Sequence, residues 1–255
     1  MIRYQTLQTA ASTRTAWILH GILGSGRNWR SFARTLMSKD PTWRYVLPDL
    51  RNHGQTGPLP GPHDLDACVR DLSELPSPDR VIGHSFGGKV ALQWAATVGT
   101  AEDVWVLDSI PVAADPSSDN EVMTVLGALS RVQTPAAERA DVRDTLTQAG
   151  LSKMLVDWLL TSLKRTPEGW VWLYGLEGIA QMMQAYFTTD FGAWLATNDQ
   201  HPVNLVRAMR SDRWTPEILS RITLGPAVKM HELHDAGHWL HVDNPEGLRR
   251  LLIPG

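Results

Sequence analysis

The amino-acid sequence predicts an α/β fold in which a mostly parallel central sheet is flanked by helices. Short, largely apolar runs without strict alternation are typical of strands that are buried on both faces of a parallel sheet. Four such runs occur in the first part of the chain, at 17–19, 45–47, 80–82 and 104–107. Helical patterns at 28–37 and 87–98 lie between them. Strands that alternate with helices at this spacing predict a parallel α/β sheet.

The pattern changes after residue 110. From 111 to 199 the chain has helical periodicity and no convincing strand pattern. The earlier pattern then returns as two strands and a closing helix, at 203–208, 227–233 and 245–252. We therefore predict an α/β core formed by residues 1–110 and 200–255, into which residues 111–199 are inserted as a helical cap.

Composition and charge exclude several classes of protein. Of 255 residues, 43% are hydrophobic and 20% charged, which is ordinary for a globular protein. The formal net charge of −3 offers no basic surface for nucleic acid or an anionic membrane. The N-terminus lacks a basic stretch followed by an apolar one, and no apolar run approaches the roughly 18 residues of a membrane span. A single cysteine, Cys68, fits a reducing compartment. We expect a cytoplasmic monomer or homodimer.

The segment 80–88, with the sequence RVIGHSFGG, predicts a nucleophilic serine. It places a G-x-S-x-G pattern, centred on Ser85, between an apolar strand and a helix. A nucleophile at the tip of so tight a turn leaves no room for side chains two residues away, and here those residues are Gly83 and Gly87. The alternative is an ordinary serine in a glycine-rich turn. The strand before and the helix after the pattern favour the nucleophile.

Two backbone N–H groups are candidates for an oxyanion hole. Acyl transfer needs donors where negative charge develops on the carbonyl oxygen. One is the N–H of Phe86, which follows Ser85 directly. The other is the N–H of Ile22, in the segment WILHGILGS, where an apolar strand ends at His20 and Gly21. We expect His20 itself to hold this loop by hydrogen bonds rather than to take part in the chemistry.

A histidine near the C-terminus is the candidate general base. Four compete, namely His231, His234, His238 and His241. We favour His238, because it follows Ala-Gly directly after the last strand and precedes the closing helix, which places it on a short, positioned loop.

These segments together resemble the α/β-hydrolase superfamily. HGILGSGRNW, DLRNHG, GHSFGGK and GHWLHVDNP occur in the order of that superfamily. They are most similar to motifs of small bacterial esterases and acyl-thioesterases related to the abhydrolase-domain-containing proteins. Many other members carry PGHG where this chain has RNHG at 51–54. The resemblance covers nearly the whole chain outside the insert, and it implies the α/β-hydrolase fold with a helical cap over the active site.

The resemblance implies two positions for the acid of a catalytic triad. Most of the superfamily places it after the strand that follows the cap, where Asp212 lies, although the usual position falls nearer Ser211. A subset places the acid before the cap, where this chain has Asp108. The esterases that the chain most resembles combine an aspartate there with a serine in the later position. We therefore favour Asp108 and keep Asp212 as the alternative.

The sequence thus predicts a serine hydrolase that cleaves carboxylic esters or thioesters through an acyl-enzyme, without metal or organic cofactor. A carbon–carbon bond hydrolase, a lactonase or a cofactor-free perhydrolase would use the same triad, whereas a dehalogenase would need an aspartate at position 85. A ligand-binding receptor of low turnover is the alternative of another class. Seven residues of the insert form either an apolar acyl pocket or the core of the cap: Trp158, Trp170, Trp172, Trp194, Met154, Met182 and Met183.

Overall fold

The computed structural model describes residues 1–116 and 120–253. Its strands are β1 (Tyr4–Leu7), β2 (Arg14–Leu19), β3 (Trp43–Pro48), β4 (Arg80–His84), β5 (Asp103–Leu107), β6 (Leu163–Thr166), β7 (Gly169–Trp172), β8 (Val203–Ala208) and β9 (Val228–Leu233). Its α-helices are α1 (Arg30–Lys39), α2 (Leu65–Leu72), α3 (Phe86–Thr97), α4 (Asn120–Leu129), α5 (Arg139–Gln148), α6 (Lys153–Leu160), α7 (Leu176–Thr188), α8 (Gly192–Thr197), α9 (Pro216–Ser220), α10 (Leu240–Asp243) and α11 (Pro245–Leu252).

Seven of these strands form one sheet in the order β1-β3-β2-β4-β5-β8-β9. Strand β1 runs antiparallel to β3, and every other neighbouring pair is parallel. The fold class predicted from the sequence is therefore confirmed. Strand β1 was not predicted, because its four residues are only exposed or half-buried and leave no apolar run. The carboxyl ends of the parallel strands meet at one edge of the sheet, where loops from distant parts of the chain converge.

Apolar side chains cover both faces of the sheet. Along β2, Trp17 and Leu19 belong to the cluster that also contains residues of α2, α3 and α7. Ile18, between them, belongs to the opposite cluster, which contains residues of α1 and α11. Since successive side chains of a strand point to opposite faces, a sheet covered on both sides needs the continuous apolar runs that the sequence displays. A free thiol, that of Cys68, is buried in the first cluster, where burial raises its pKa.

The segment 111–199, called the insert below, contains more than helices. Helices α4 to α8 lie within it, but so does a separate two-stranded antiparallel hairpin, β6–β7. The expectation of no strand here was wrong. Two residues connect β6 to β7, and Gly169 adopts a φ of +138° at the start of β7. Strands of four residues are too short to give a clear period-two signal.

A buried lysine fastens the insert to the core. Lys89 lies in α3, one turn after Ser85, and its side chain has no exposed surface. Its ammonium group donates hydrogen bonds to the carbonyl oxygens of Val112, Tyr186 and Thr189, at 2.9, 2.5 and 2.7 Å. All three acceptors belong to the insert. Burial lowers the pKa of Lys89 to about 7, against the opposing effect of the nearby Asp190 carboxylate.

We expect Lys89→Met to lower the free energy of unfolding by about 3 kcal/mol, because it leaves three buried or part-buried carbonyl groups without this donor. Urea unfolding, followed by tryptophan fluorescence, measures this change. Lys164→Met is the matched control, since Lys164 is exposed on β6. Equal stability of the two variants would contradict a fastening role for Lys89.

Candidate active site

Ser85 occupies a strained turn between β4 and α3. Its φ of 53° and ψ of −119° lie outside the regions that non-glycine residues ordinarily adopt. The turn leaves no space beside it. A Cβ at Gly83 would lie 2.1 Å from the Gly87 carbonyl oxygen, and one at Gly87 would lie 2.5 Å from the Leu19 carbonyl oxygen. Both glycines are therefore required by close packing of the backbone, which is the geometry that the sequence pattern predicts.

Asp108 follows β5 and accepts hydrogen bonds on both carboxylate oxygens. Its side chain is fully buried, and its backbone φ is +43°. Oδ2 lies 2.8 Å from Nδ1 of His238. Oδ1 accepts from the indole N–H of Trp214 at 2.7 Å and from the backbone N–H of Ala208 at 3.2 Å. Donors from the end of β8 and from two loops thus converge on one carboxylate.

The charge of Asp108 is held by these donors. Burial works to raise the pKa of its carboxyl, but the hydrogen bond and charge of His238, with the Ser211 hydroxyl and the Ala208 N–H, outweigh it and lower the pKa. An ionised carboxylate keeps the proton of the neutral imidazole on Nδ1 of His238, which leaves Nε2 as the acceptor. This is the tautomer that a general base for a serine hydroxyl needs.

Asp212, the alternative acid, is exposed on a turn after β8. Two side chains of that turn act on Asp108 instead: the indole N–H of Trp214 donates to Oδ1, and the Ser211 hydroxyl helps to lower the pKa of the carboxyl. The structure therefore brings His238 to Asp108.

The loop after β2 passes directly beside the serine. A Cβ at Gly21 would lie 3.2 Å from Cβ of Ser85, so glycine permits the close approach. The Gly21 carbonyl lies 2.7 Å from Nδ1 of His20 and accepts from the Gly24 N–H at 3.1 Å. The Leu50 N–H donates to Nε2 of His20 at 3.0 Å. His20 thus spans two loops, as a loop-holding residue would.

These contacts also set the direction of the Ile22 N–H. It shares a peptide plane with the Gly21 carbonyl and points the opposite way, because the peptide unit is planar and trans. Within the described ranges, neither this N–H nor that of Phe86, at the first turn of α3, donates to a protein acceptor. A pair of N–H groups of this kind is available to a substrate oxygen.

A histidine that the sequence analysis did not single out also lies at the site. Nε2 of His84, the residue before Ser85, lies 2.7 Å from the carbonyl oxygen of His238. Burial, together with the neighbouring His238 and His241, lowers the pKa of His84 well below its ordinary value. The imidazole is therefore neutral, and its Nε2–H donates to that carbonyl. His84 thereby holds the loop that carries His238. Its place in the motif was visible in the sequence, but its partner lies 154 residues away.

The other candidate bases have other partners or are exposed. His231 lies 2.9 Å, through Nε2, from Oδ1 of Asn204 and stacks on Trp105. His234 is exposed. His241 stacks on Trp29 with 4.0 Å between the ring centres, and burial lowers its pKa to about 4.

Most of the seven candidate pocket residues of the insert pack in or against the large apolar cluster that the insert shares with the α/β core. Trp172, Met182 and Met183 are buried in the core cluster, and Trp170 and Trp194 pack against it. Met154 is 81% exposed. Trp158 differs from these, because its ring lies 5.5 Å from that of Trp239, the residue after His238. Trp158 is therefore the candidate pocket residue whose ring contacts the loop of His238.

Two further kinds of site are absent from residues 1–116 and 120–253. No group of three or more histidine, cysteine, aspartate or glutamate side chains there is arranged to hold a metal ion. No helix in the same ranges has both the length and the apolar character that crossing a membrane requires.

A model of the alpha/beta hydrolase family matches residues 18–251. The chain belongs to the alpha/beta hydrolase family, and it is a hydrolase. It is 28% identical to the sn-1-specific diacylglycerol lipase ABHD11 of Mus musculus, over 96% of this chain and 81% of that protein. It is 25% identical to the esterase YbfF of Escherichia coli (strain K12), over 98% of this chain and 96% of that protein.

Solved structures agree with this assignment. A marine microorganism esterase superposes with a TM-score of 0.84 and 26% identity, over 98% of this chain and 97% of that one. A thioesterase domain from the curacin biosynthetic pathway shares the fold, with a TM-score of 0.69 and 22% identity over the full length of both chains. The resemblance that the motifs indicated is thereby confirmed.

We expect the buried histidines to make the fold sensitive to acid. Burial lowers the pKa of His53 to about 3 and that of His241 to about 4. Both stay neutral in the native state while the unfolded chain takes up protons below about pH 6.5. Stability is therefore complete above that pH and falls as the pH is lowered, by about 1.4 kcal/mol for each such histidine between about pH 7.5 and pH 5.5.

His241→Phe tests this relation. It preserves the stack on Trp29 but removes one group that must lose its proton on folding. The free energy of unfolding, measured in urea at the two pH values, should fall by about 1.4 kcal/mol less in the variant than in the wild type. The same fall in both proteins would mean that His241 binds its proton equally in the folded and unfolded states.

Proposed function

We propose that the protein is a serine esterase that cleaves carboxylic esters or thioesters through an acyl-enzyme intermediate. Ser85 is the nucleophile, His238 the general base and Asp108 the acid of the triad. The observation that carries the proposal is the 2.8 Å hydrogen bond between Nδ1 of His238 and a fully buried Asp108 carboxylate, beside the strained turn of Ser85. Asp212, exposed on the turn after β8, is the alternative acid.

The reaction proceeds in two steps that regenerate the enzyme. Ser85 Oγ attacks the acyl carbonyl carbon, while its proton passes to Nε2 of His238. The bond from carbon to the leaving oxygen or sulfur breaks, and His238 returns the proton to the leaving group. Water then attacks the acyl-enzyme with His238 again as the base, which releases the carboxylic acid and restores the Ser85 hydroxyl.

The oxyanion is held by the backbone N–H groups of Ile22 and Phe86. Negative charge develops on the carbonyl oxygen in each step. Donors that are already oriented toward it stabilise this charge with little free-energy cost of reorganisation. Support comes from the loop contacts of Gly21, which aim the Ile22 N–H, and from the position of Phe86 at the amino end of α3.

The insert, residues 111–199, is proposed to be the cap over this site. Three contacts support the assignment: Lys89 fastens it to α3, Trp158 meets Trp239, and the Tyr174 hydroxyl reaches the carbonyl oxygen of Leu23. The last two lie beside the proposed base and the proposed oxyanion loop.

Relatives with esterase and lipase activity favour esters as the substrates, and the aromatic side chain of Trp158 favours an apolar acyl group of short to medium length. A carbon–carbon bond hydrolase, lactonase or perhydrolase would keep the same triad. A receptor of low turnover is disfavoured, because ligand binding alone does not require a buried carboxylate to hold a histidine tautomer.

We expect Asp108→Asn to lower kcat by about four orders of magnitude, because the amide no longer stabilises the imidazolium or the correct tautomer. Asp212→Asn, at an exposed position on the neighbouring turn, is the matched control and should retain the activity of the wild type. Steady-state kinetics with one ester measure both. Full activity of Asp108→Asn, or loss in Asp212→Asn alone, would assign the acid differently.

We expect turnover of p-nitrophenyl esters, with a maximum at short to medium acyl chains. A fluorophosphonate probe should label the wild type and not Ser85→Ala, which identifies the nucleophile independently of the substrate. Absence of turnover with every ester in the series would refute the esterase assignment. Labelling without turnover would then favour one of the other triad chemistries, and absence of labelling would favour the receptor.

A further inference from the structure

Tyr174, in the insert, contacts the loop that carries Ile22. It lies between β7 and α7 and is 5% exposed. Its hydroxyl oxygen lies 2.7 Å from the carbonyl oxygen of Leu23 and 2.7 Å from Oγ of Ser162. A phenol has one proton to donate, and a carbonyl can only accept. Both contacts are satisfied when Tyr174 donates to Leu23 and Ser162 donates to Tyr174.

Leu23 is held from its other side by the core. Its N–H donates to Nε2 of His53 at 3.0 Å, and Nδ1 of His53 lies 2.7 Å from the Arg51 carbonyl oxygen. Leu23 has a φ of +59°, which a leucine adopts only when its surroundings impose it. The two hydrogen bonds fix the peptide units on either side of this residue, immediately after Ile22.

The segment that carries His53 also contacts the segment that carries Tyr174 directly. The Gly175 N–H donates to the Asn52 carbonyl oxygen at 3.0 Å. A Cβ at Gly175 would lie 2.7 Å from Oδ1 of Asn52, and one at Gly178 would lie 2.2 Å from its Nδ2. These contacts form a closed ring. Leu23 donates to His53, and Asn52, the residue before His53, accepts from Gly175. Tyr174, the residue before Gly175, donates to Leu23 and closes the ring.

We propose that Tyr174 is a positioning residue through which the insert fixes the oxyanion loop. Its hydrogen bond to Leu23 keeps the loop in its strained conformation, and so keeps the Ile22 N–H aimed at the carbonyl oxygen of the substrate. The inference rests on the proposed function, in which Ile22 is an oxyanion donor. The insert then contributes to the rate of the chemical step as well as covering the site.

This role predicts a particular kinetic signature. A donor that stabilises only the developing negative charge affects kcat, whereas one that binds substrate and transition state equally affects KM. Tyr174→Phe removes the hydroxyl and keeps the ring. We expect kcat to fall about 10- to 100-fold, with KM changed by no more than about twofold, because the donor is misdirected rather than removed.

A trifluoromethyl ketone gives a second readout. It forms a tetrahedral adduct with the serine and places an oxyanion in the hole, so its inhibition constant should rise by the same factor as kcat/KM falls. Tyr45→Phe is the matched control, because it removes the phenol hydroxyl of another buried tyrosine, in β3, and it should keep the kcat of the wild type. Ser162→Ala should lose kcat a few-fold, since Tyr174 keeps its acceptor on Leu23 but loses the Ser162 hydroxyl that orients its phenol.

The outcomes separate the two proposals. A wild type that hydrolyses no ester refutes the proposed function itself. A wild type that does, together with a Tyr174→Phe variant of unchanged kcat, or with a change in KM alone, overturns the positioning role and leaves the function standing. Should Tyr174→Phe fail to fold, as judged by circular dichroism, Ser162→Ala decides: a loss of a few-fold in kcat supports the role, and unchanged kcat overturns it.

Discussion

The carboxylate of Asp108 is the point around which the site is organised. An ion buried without partners would cost several kcal/mol, so its position requires donors that arrive from elsewhere in the chain. Those donors come from the end of β8, from the indole of Trp214 and from the loop of His238. Each belongs to a segment about a hundred residues or more further along the chain. Their convergence depends on the parallel register of β5 and β8, which brings both strand ends to one edge of the sheet.

The sequence was enough to predict those parts of the site whose geometry is set by residues close together in the chain. The turn of Ser85 is of this kind, because a glycine two residues away on either side is required by backbone atoms of the turn itself and of the neighbouring strand. The central strands were predictable for a similar reason, since burial on both faces demands unbroken apolar runs. The resemblance to known motifs added the choice of Asp108 over Asp212, which spacing alone left open.

The parts that escaped prediction depend on partners far away in sequence. His84 and His53 lie in motifs that were noticed, yet nothing in their neighbours indicates that they bind His238 and Leu23. Trp214 carries no local signal at all. The strands of the β6–β7 hairpin are too short to show a period of two in the sequence. The hairpin is stabilised in part by a backbone bridge from Trp170 to Ala136, a residue that lies outside it. A sequence pattern indicates whether a residue is buried or exposed, but it does not indicate which distant residue it contacts.

The insert leaves the sheet after β5 and returns at β8, and these two strands are hydrogen-bonded neighbours, with Leu107 paired to Val206. In topological terms it is a long loop between adjacent parallel strands, which are roughly 5 Å apart. A different segment could replace it without altering the order of a single strand, which makes it the natural unit to exchange when specificity is engineered. The exchange is constrained at two points. A replacement must offer carbonyl oxygens to the buried ammonium group of Lys89, and it must return a hydroxyl to the carbonyl of Leu23.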